Sequence, residues 1–185
     1  MTLQDRIHFT GNPWPEGHPI AEFRWTASVR DGMVWFDLHL RSADYDAERE
    51  IDEPEDEEID YPSDWEAPNV WNNYHRCTLS STNWGDGNGF AVCPVSDFSP
   101  ARIDGLEVRV DEPPPEDTED NAFHIYLLGH DAAAHHRIRF DRIAGTDRFS
   151  IAWTGKIALA YTGDYEYKYD FAAHLHDVQA PRIPA

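Results

Sequence analysis

Lysine is nearly absent from this chain. Of its 15 basic residues only Lys156 and Lys168 are lysines, and 13 are arginines, set against 35 acids. A net charge of −20 with no cluster of bases argues against direct binding to nucleic acid or an anionic membrane, because phosphate contacts need clustered Lys and Arg. Long apolar runs are missing too: no stretch approaches the roughly 18–20 residues of a membrane span. The opening MTLQDRIHFTG lacks the apolar core of a signal peptide, so a soluble, cytoplasmic protein is expected. There are two cysteines, Cys77 and Cys93, which in a reducing compartment are read as free thiols. No GxSxG, phosphate-binding glycine loop, HExxH or CxxC occurs, so the sequence carries no catalytic signature of these kinds. No stretch has a convincing helical period.

The chain does have aromatic residues, 13% of its 185. That content and length support an ordered core and a single domain over residues 1–185. Alternation is the dominant pattern. Ala21, Phe23, Trp25, Ala27 and Val29 alternate with Glu22, Arg24, Thr26, Ser28 and Arg30, as in a half-buried strand. Asp31-Gly32 has the composition of a type I′ turn, and Val34, Phe36, Leu38 and Leu40 continue on a returning strand. Shorter strands are predicted at Ile7–Phe9, irregularly from Val70 to Trp84, at Phe90–Val95 and at Ile103–Val110. The C-terminal third reads as a meander: Phe123–Leu128, Arg137–Asp141, Phe149–Trp153, a turn at Thr154-Gly155, Ile157–Tyr161, a turn at Gly163-Asp164, and Tyr165–Phe171. Asp131–Ala134 is read as a helical turn. About ten short strands with regularly spaced turns predict an all-β domain, an antiparallel β-sandwich.

The acids are concentrated in two insertions. Residues 44–66 hold 13 acids and one base, a net of −12, and residues 111–120 hold six acids and no base. Together they carry −18 of the −20, so the scaffold is nearly neutral. Such segments keep a protein soluble, but they also create a field that draws in a basic protein partner. The candidate docking residues are Asp52, Glu53, Glu55, Asp56, Glu57, Glu58 and Asp60, with Glu116 and Asp117 in the second block. Trp14 and Trp65 lie in Pro-rich surroundings and are read as aromatic anchors within a charged rim.

Two other chemistries are weighed. Oxygen-rich loops and loop tryptophans suit a calcium- or carbohydrate-binding module, although Asp86-Gly87-Asn88-Gly89 lacks the later ligands of an EF-hand. His174 and His176, two apart, would share a face of a strand as metal ligands often do. His124, His130, His135, His136 and Asp177 are candidates for a third ligand. His75 and Cys77 are likewise two apart, without an orienting group for nucleophilic catalysis. The leading expectation is a non-enzymatic, cofactor-free binding protein for a basic partner. Its profile, a small acidic β-domain without a catalytic signature, is shared by many bacterial inhibitor and immunity proteins that neutralise a toxin or nuclease.

Overall fold

A computed structural model of the chain describes residues 4–48, 63–66, 75–81 and 89–183. These form ten strands: β1 (Arg6–Phe9), β2 (His18–Arg30), β3 (Met33–Ser42), β4 (Thr78–Ser80), β5 (Phe90–Pro94), β6 (Leu106–Val110), β7 (His124–Tyr126), β8 (His130–Arg142), β9 (Arg148–Ala158) and β10 (Tyr169–Gln179). The fold is all-β, and its strand pairs are antiparallel. Partners run β2–β1–β10–β9–β8–β7–β4–β3, and β3 pairs again with β2. The expected sandwich is therefore corrected to one sheet closed into an eight-stranded barrel. Strand alternation is the same in both architectures; what distinguishes them is whether the sheet's two ends pair with each other. β5 and β6 are extra strands. β4 and β7 bridge β3 and β8 over one half of their length, while β5 pairs the other half of β3 and β6 the other half of β8.

The long hairpin forms as its residues dictate. Arg30 pairs with Met33 across Asp31 and Gly32, whose φ angles of 50° and 76° are both positive, as a type I′ turn requires. Val34, Phe36, Leu38 and Leu40 are fully buried. Their β2 partners are Val29, Ala27, Trp25 and Phe23.

Further along, two bulges reset the pattern. In β8, Ala134 pairs with Lys156 and Arg137 with Thr154, so His135 and His136 together face Gly155. His135 takes φ 54°. The extra residue switches the inward positions from Ala133 to His136, Ile138 and Phe140, which are fully buried. Asp131–Ala134 is thus strand, correcting the predicted helical turn, because the alanines line the barrel between β7 and β9. Thr154-Gly155 is no turn either, since β9 runs straight through it. The glycine is there for Phe171: a Cβ at Gly155 would stand 2.5 Å from that ring. The second bulge falls between Leu175 and Val178 of β10, with Asp177 at φ 58°.

Aromatic rings fill the interior. Trp25 stacks on Phe140 at 4.9 Å and meets Phe36 and Phe149 edge-on at 5.1 and 5.5 Å. Trp153 packs on Phe123 at 4.8 Å and its indole N–H donates to His136 Nδ1 at 3.2 Å. Each buried Phe is worth about 1.5–3 kcal/mol of transfer free energy, so this network contributes substantially to holding the closed sheet together. Of the predicted features, the acids Asp52, Glu53, Glu55, Asp56, Glu57, Glu58 and Asp60 lie outside the described residues. So do residues 70–74 and 82–84 of the irregular strand predicted from Val70 to Trp84, of which 75–81 are described and Thr78–Ser80 is β4.

Candidate functional site at the loop end of the barrel

Antiparallel strands put alternate connections at opposite ends. One end carries the two-residue turn at 31–32, the short connection at 143–147 and the longer connection 95–105, whose Val95 N–H donates to the Gly32 carbonyl at 3.0 Å. The other carries the connections 10–17, 43–77, 127–129 and 159–168. The acidic stretch 44–66 leaves β3 and rejoins at β4, so both its roots are at this loop end.

An aromatic cluster closes the loop end. Trp14 meets His18 at 5.1 Å, Tyr45 at 5.9 Å and Trp65 at 6.1 Å, and Trp65 also meets Phe9 at 5.5 Å and Tyr45 at 4.9 Å. The Tyr45 hydroxyl donates to the Leu127 carbonyl at 2.7 Å. Asn12 Nδ2 lies 2.8 Å from His18 Nε2; the amide donates, which leaves the His18 proton on Nδ1. Burial, assisted by the nearby Arg6 charge, lowers the His18 pKa to about 4. Trp14 and Trp65 are both half-buried and packed on the core, so the two predicted anchors are brought together.

Beside this cluster opens a crevice of about 410 Å³. Leu127, Leu128 and Ile157 form a buried floor, Trp65, Leu159 and Tyr169 stand at the sides, and Ser63 and Asp64 line it as polar groups. A second groove, about 510 Å³, is lined by Thr118–Asp120, His124, Tyr126, His130, Asp131 and Ala160. The 159–168 connection runs between the two. Tyr161 links them: Asp64 lies close enough for its charge to act on the phenol, and the Tyr161 backbone N–H donates to Asp131 Oδ1 at 3.4 Å. Burial and the Asp64 charge push the Tyr161 pKa up to about 12. Asp131 also accepts from the Leu128 N–H at 3.2 Å, and burial raises its pKa. Tyr165 is 68% exposed, the most open large side chain of the described core-type residues, between Asp164 and Glu166.

The second acidic block is anchored at both ends. The Asp111 carboxylate accepts the Ala122 N–H at 3.0 and 3.1 Å and lies 3.9 Å from His136 Nε2. Asp117 accepts the Glu119 N–H at 2.9 Å and starts the short turn that carries Glu119 and Asp120 into the second groove. Glu116 and Asp117 are exposed.

The histidine pair has a different setting. His174 is exposed on the outer face, and His176 Nδ1 and its backbone N–H meet Asp5 Oδ1 at 2.9 and 2.8 Å. Among the described residues no group of three His, Cys, Asp or Glu is placed to hold a metal ion. Cys77 is fully buried and burial pushes its thiol pKa up, which is the opposite of an activated nucleophile. On the barrel's outer wall a further groove is lined by His8, His135, Arg137, Lys156 and Asp170, with Lys156 already paired to Asp170 at 2.9 Å. Among the described residues no helix is long and apolar enough to cross a membrane.

Comparison with protein-family models, curated proteins and solved structures finds no match to this chain. The tyrosines at 161 and 165 are functional candidates that sequence reasoning passed over. A signal existed, four tyrosines at 161, 165, 167 and 169 among acids. Their period of two read as the buried face of a strand, whereas β10 starts only at Tyr169.

Proposed function

We propose that this protein is a non-enzymatic binding module that docks a basic protein partner through the loop end of its barrel, with neutralisation of a toxin or nuclease as the concrete form. The observation that carries the reading is the convergence at one end of exposed tyrosine, paired grooves and carboxylates: Tyr165 open to solvent between Asp164 and Glu166, flanked by a crevice with Asp64 and a groove with Glu119, Asp120 and Asp131. Tyrosine offers a large contact area at low entropic cost. Carboxylates around it steer a cationic partner and raise the association rate. The acids 52–60 belong to the insertion that follows β3 in the sequence and add to the negative charge a basic partner would meet.

Capture of partners from the native host at low and high salt, followed by titration of the purified pair, tests the reading. Association should slow steeply with salt, because the attraction is screened. Replacing Asp56, Glu57 and Glu58 by serine should slow it further, and Tyr165→Ala should speed dissociation. An affinity indifferent to salt and to all these changes would sink the proposal.

A further inference from the structure

We propose that the 410 Å³ crevice beside Trp65 is a socket for one arginine or lysine side chain of a basic polypeptide; this rests on the binding function proposed above and names what the partner inserts. The crevice has the shape of that side chain's chemistry. Its floor, Leu127, Leu128 and Ile157, is buried aliphatic surface that matches the (CH₂) stem of a long basic residue. Its sides include the rings of Trp65 and Tyr169, whose π faces attract a cation. Tyr169 already has this property within the chain, since the Lys168 ammonium lies 5.5 Å from its ring centroid. Lys168 is itself paired with Asp164 at 2.5 Å, so its charge is largely offset. The carboxylate at the crevice is Asp64, which lines it and is exposed. An ionised carboxylate has about four lone-pair sites, so it can accept from a guanidinium or ammonium. A neutral apolar guest would satisfy the floor and leave Asp64 without a counter-charge. A basic polypeptide satisfies both, and it is what a chain of net charge −20 attracts.

The test uses n-butylguanidinium, its neutral analogue n-butylurea, and octa-arginine as the basic polypeptide. The Trp65 indole N–H resonance, assigned with Trp65→Phe, reports the crevice in the full-length chain. Butylguanidinium should shift that resonance saturably and butylurea should do so several-fold more weakly. Asp64→Asn, which keeps the shape, should weaken butylguanidinium about threefold to fivefold, the effect of a partly exposed ion pair. Leu159→Trp, which fills the crevice, should abolish its binding and reduce octa-arginine affinity. Equal binding of butylurea would overturn the socket by making the crevice merely apolar. So would octa-arginine binding that is salt-dependent yet unchanged in Asp64→Asn and Leu159→Trp; that result would leave the acidic docking surface standing. If octa-arginine does not bind the wild-type chain at all, both proposals fail.

Discussion

The two ends of this barrel are built differently. The turn end is internally paired, and its one long connection, 95–105, is tied down at both ends by the Val95 N–H on the Gly32 carbonyl and the Arg142 N–H on Asp104. Asp31-Gly32 closes one hairpin in two residues. Arg142 donates to the Thr146 carbonyl at 2.6 Å and pairs with Asp147 at 3.0 Å, its N–H meets Asp104 at 2.9 Å, and Arg148 is bonded to Asp177. Its charges are matched and its backbone is hydrogen-bonded. The loop end has long connections, exposed tyrosine, two grooves and acids in excess of the bases near them. A connection needed only to reverse the chain can be two residues long. Longer ones add closure entropy and are where binding residues concentrate. The difference sets a hydrogen-bonded, charge-paired end against one with open grooves and acids in excess, which is where the proposed docking would fall.

Four measurements break or sharpen that division. The largest effect is expected at Phe140, fully buried between Trp25 and Phe36. Phe140→Ala should cost about 3–5 kcal/mol of unfolding free energy, read from the denaturant midpoint, while the fraction still folded binds the partner normally.

Acid should act next. His18 and His136 have pKa values lowered by burial to about 4 and about 3, against 6.5 when unfolded. The unfolded chain therefore takes up protons first as the pH falls. The stability that the neutral imidazoles contribute is complete above pH 6.5 and is lost progressively from there toward pH 4 and below. Asp111 and Asp131 are raised by burial and act with the opposite sign, so protonating them relieves a cost. Melting curves should show stability declining below pH 6.5, and His18→Phe should make that decline shallower. A His18→Phe profile that matches the wild type would mean that His18 is not buried neutral.

At the turn end, Gly32→Ala should cost about 1 kcal/mol, the penalty for a left-handed alanine. Its Cβ would meet nothing within 4 Å, so the loss is purely conformational and partner affinity should not change. The smallest stability effect, within about 0.5 kcal/mol, is expected for Tyr165→Ala at the loop end, together with a clear loss of partner affinity. If Tyr165→Ala unfolds the protein while Gly32→Ala weakens binding, the division is reversed.

Much of the fold was legible because period-two burial is a local property. Phe36, Leu38 and Leu40 announce their face by spacing, and Asp31-Gly32 announces its turn by composition. The misreadings fall where a tertiary neighbour overrides the local pattern. Gly155 looks like a turn glycine until Phe171 is seen packed against it. Ala132–Ala134 look helical until β7 and β9 are found on either side. Less of the candidate site was legible. Trp14 and Trp65 were singled out from opposite sides of the hairpin, yet nothing in their spacing indicates that they touch. Tyr161 and Tyr165 were hidden at the facing ends of two apparent strands, Ile157–Tyr161 and Tyr165–Phe171.

By itself the sequence determined that this is an all-β chain with a nearly neutral scaffold, and that its acids are gathered into two insertions, since charge and alternation are read residue by residue. Only the tertiary structure decided that the sheet closes into a barrel, because closure depends on β2 meeting β3 while β1 meets β10. It also decided that Asp64, Trp65, Asp131, Tyr161 and Tyr165 share one end, a consequence of strand direction that no local spacing encodes.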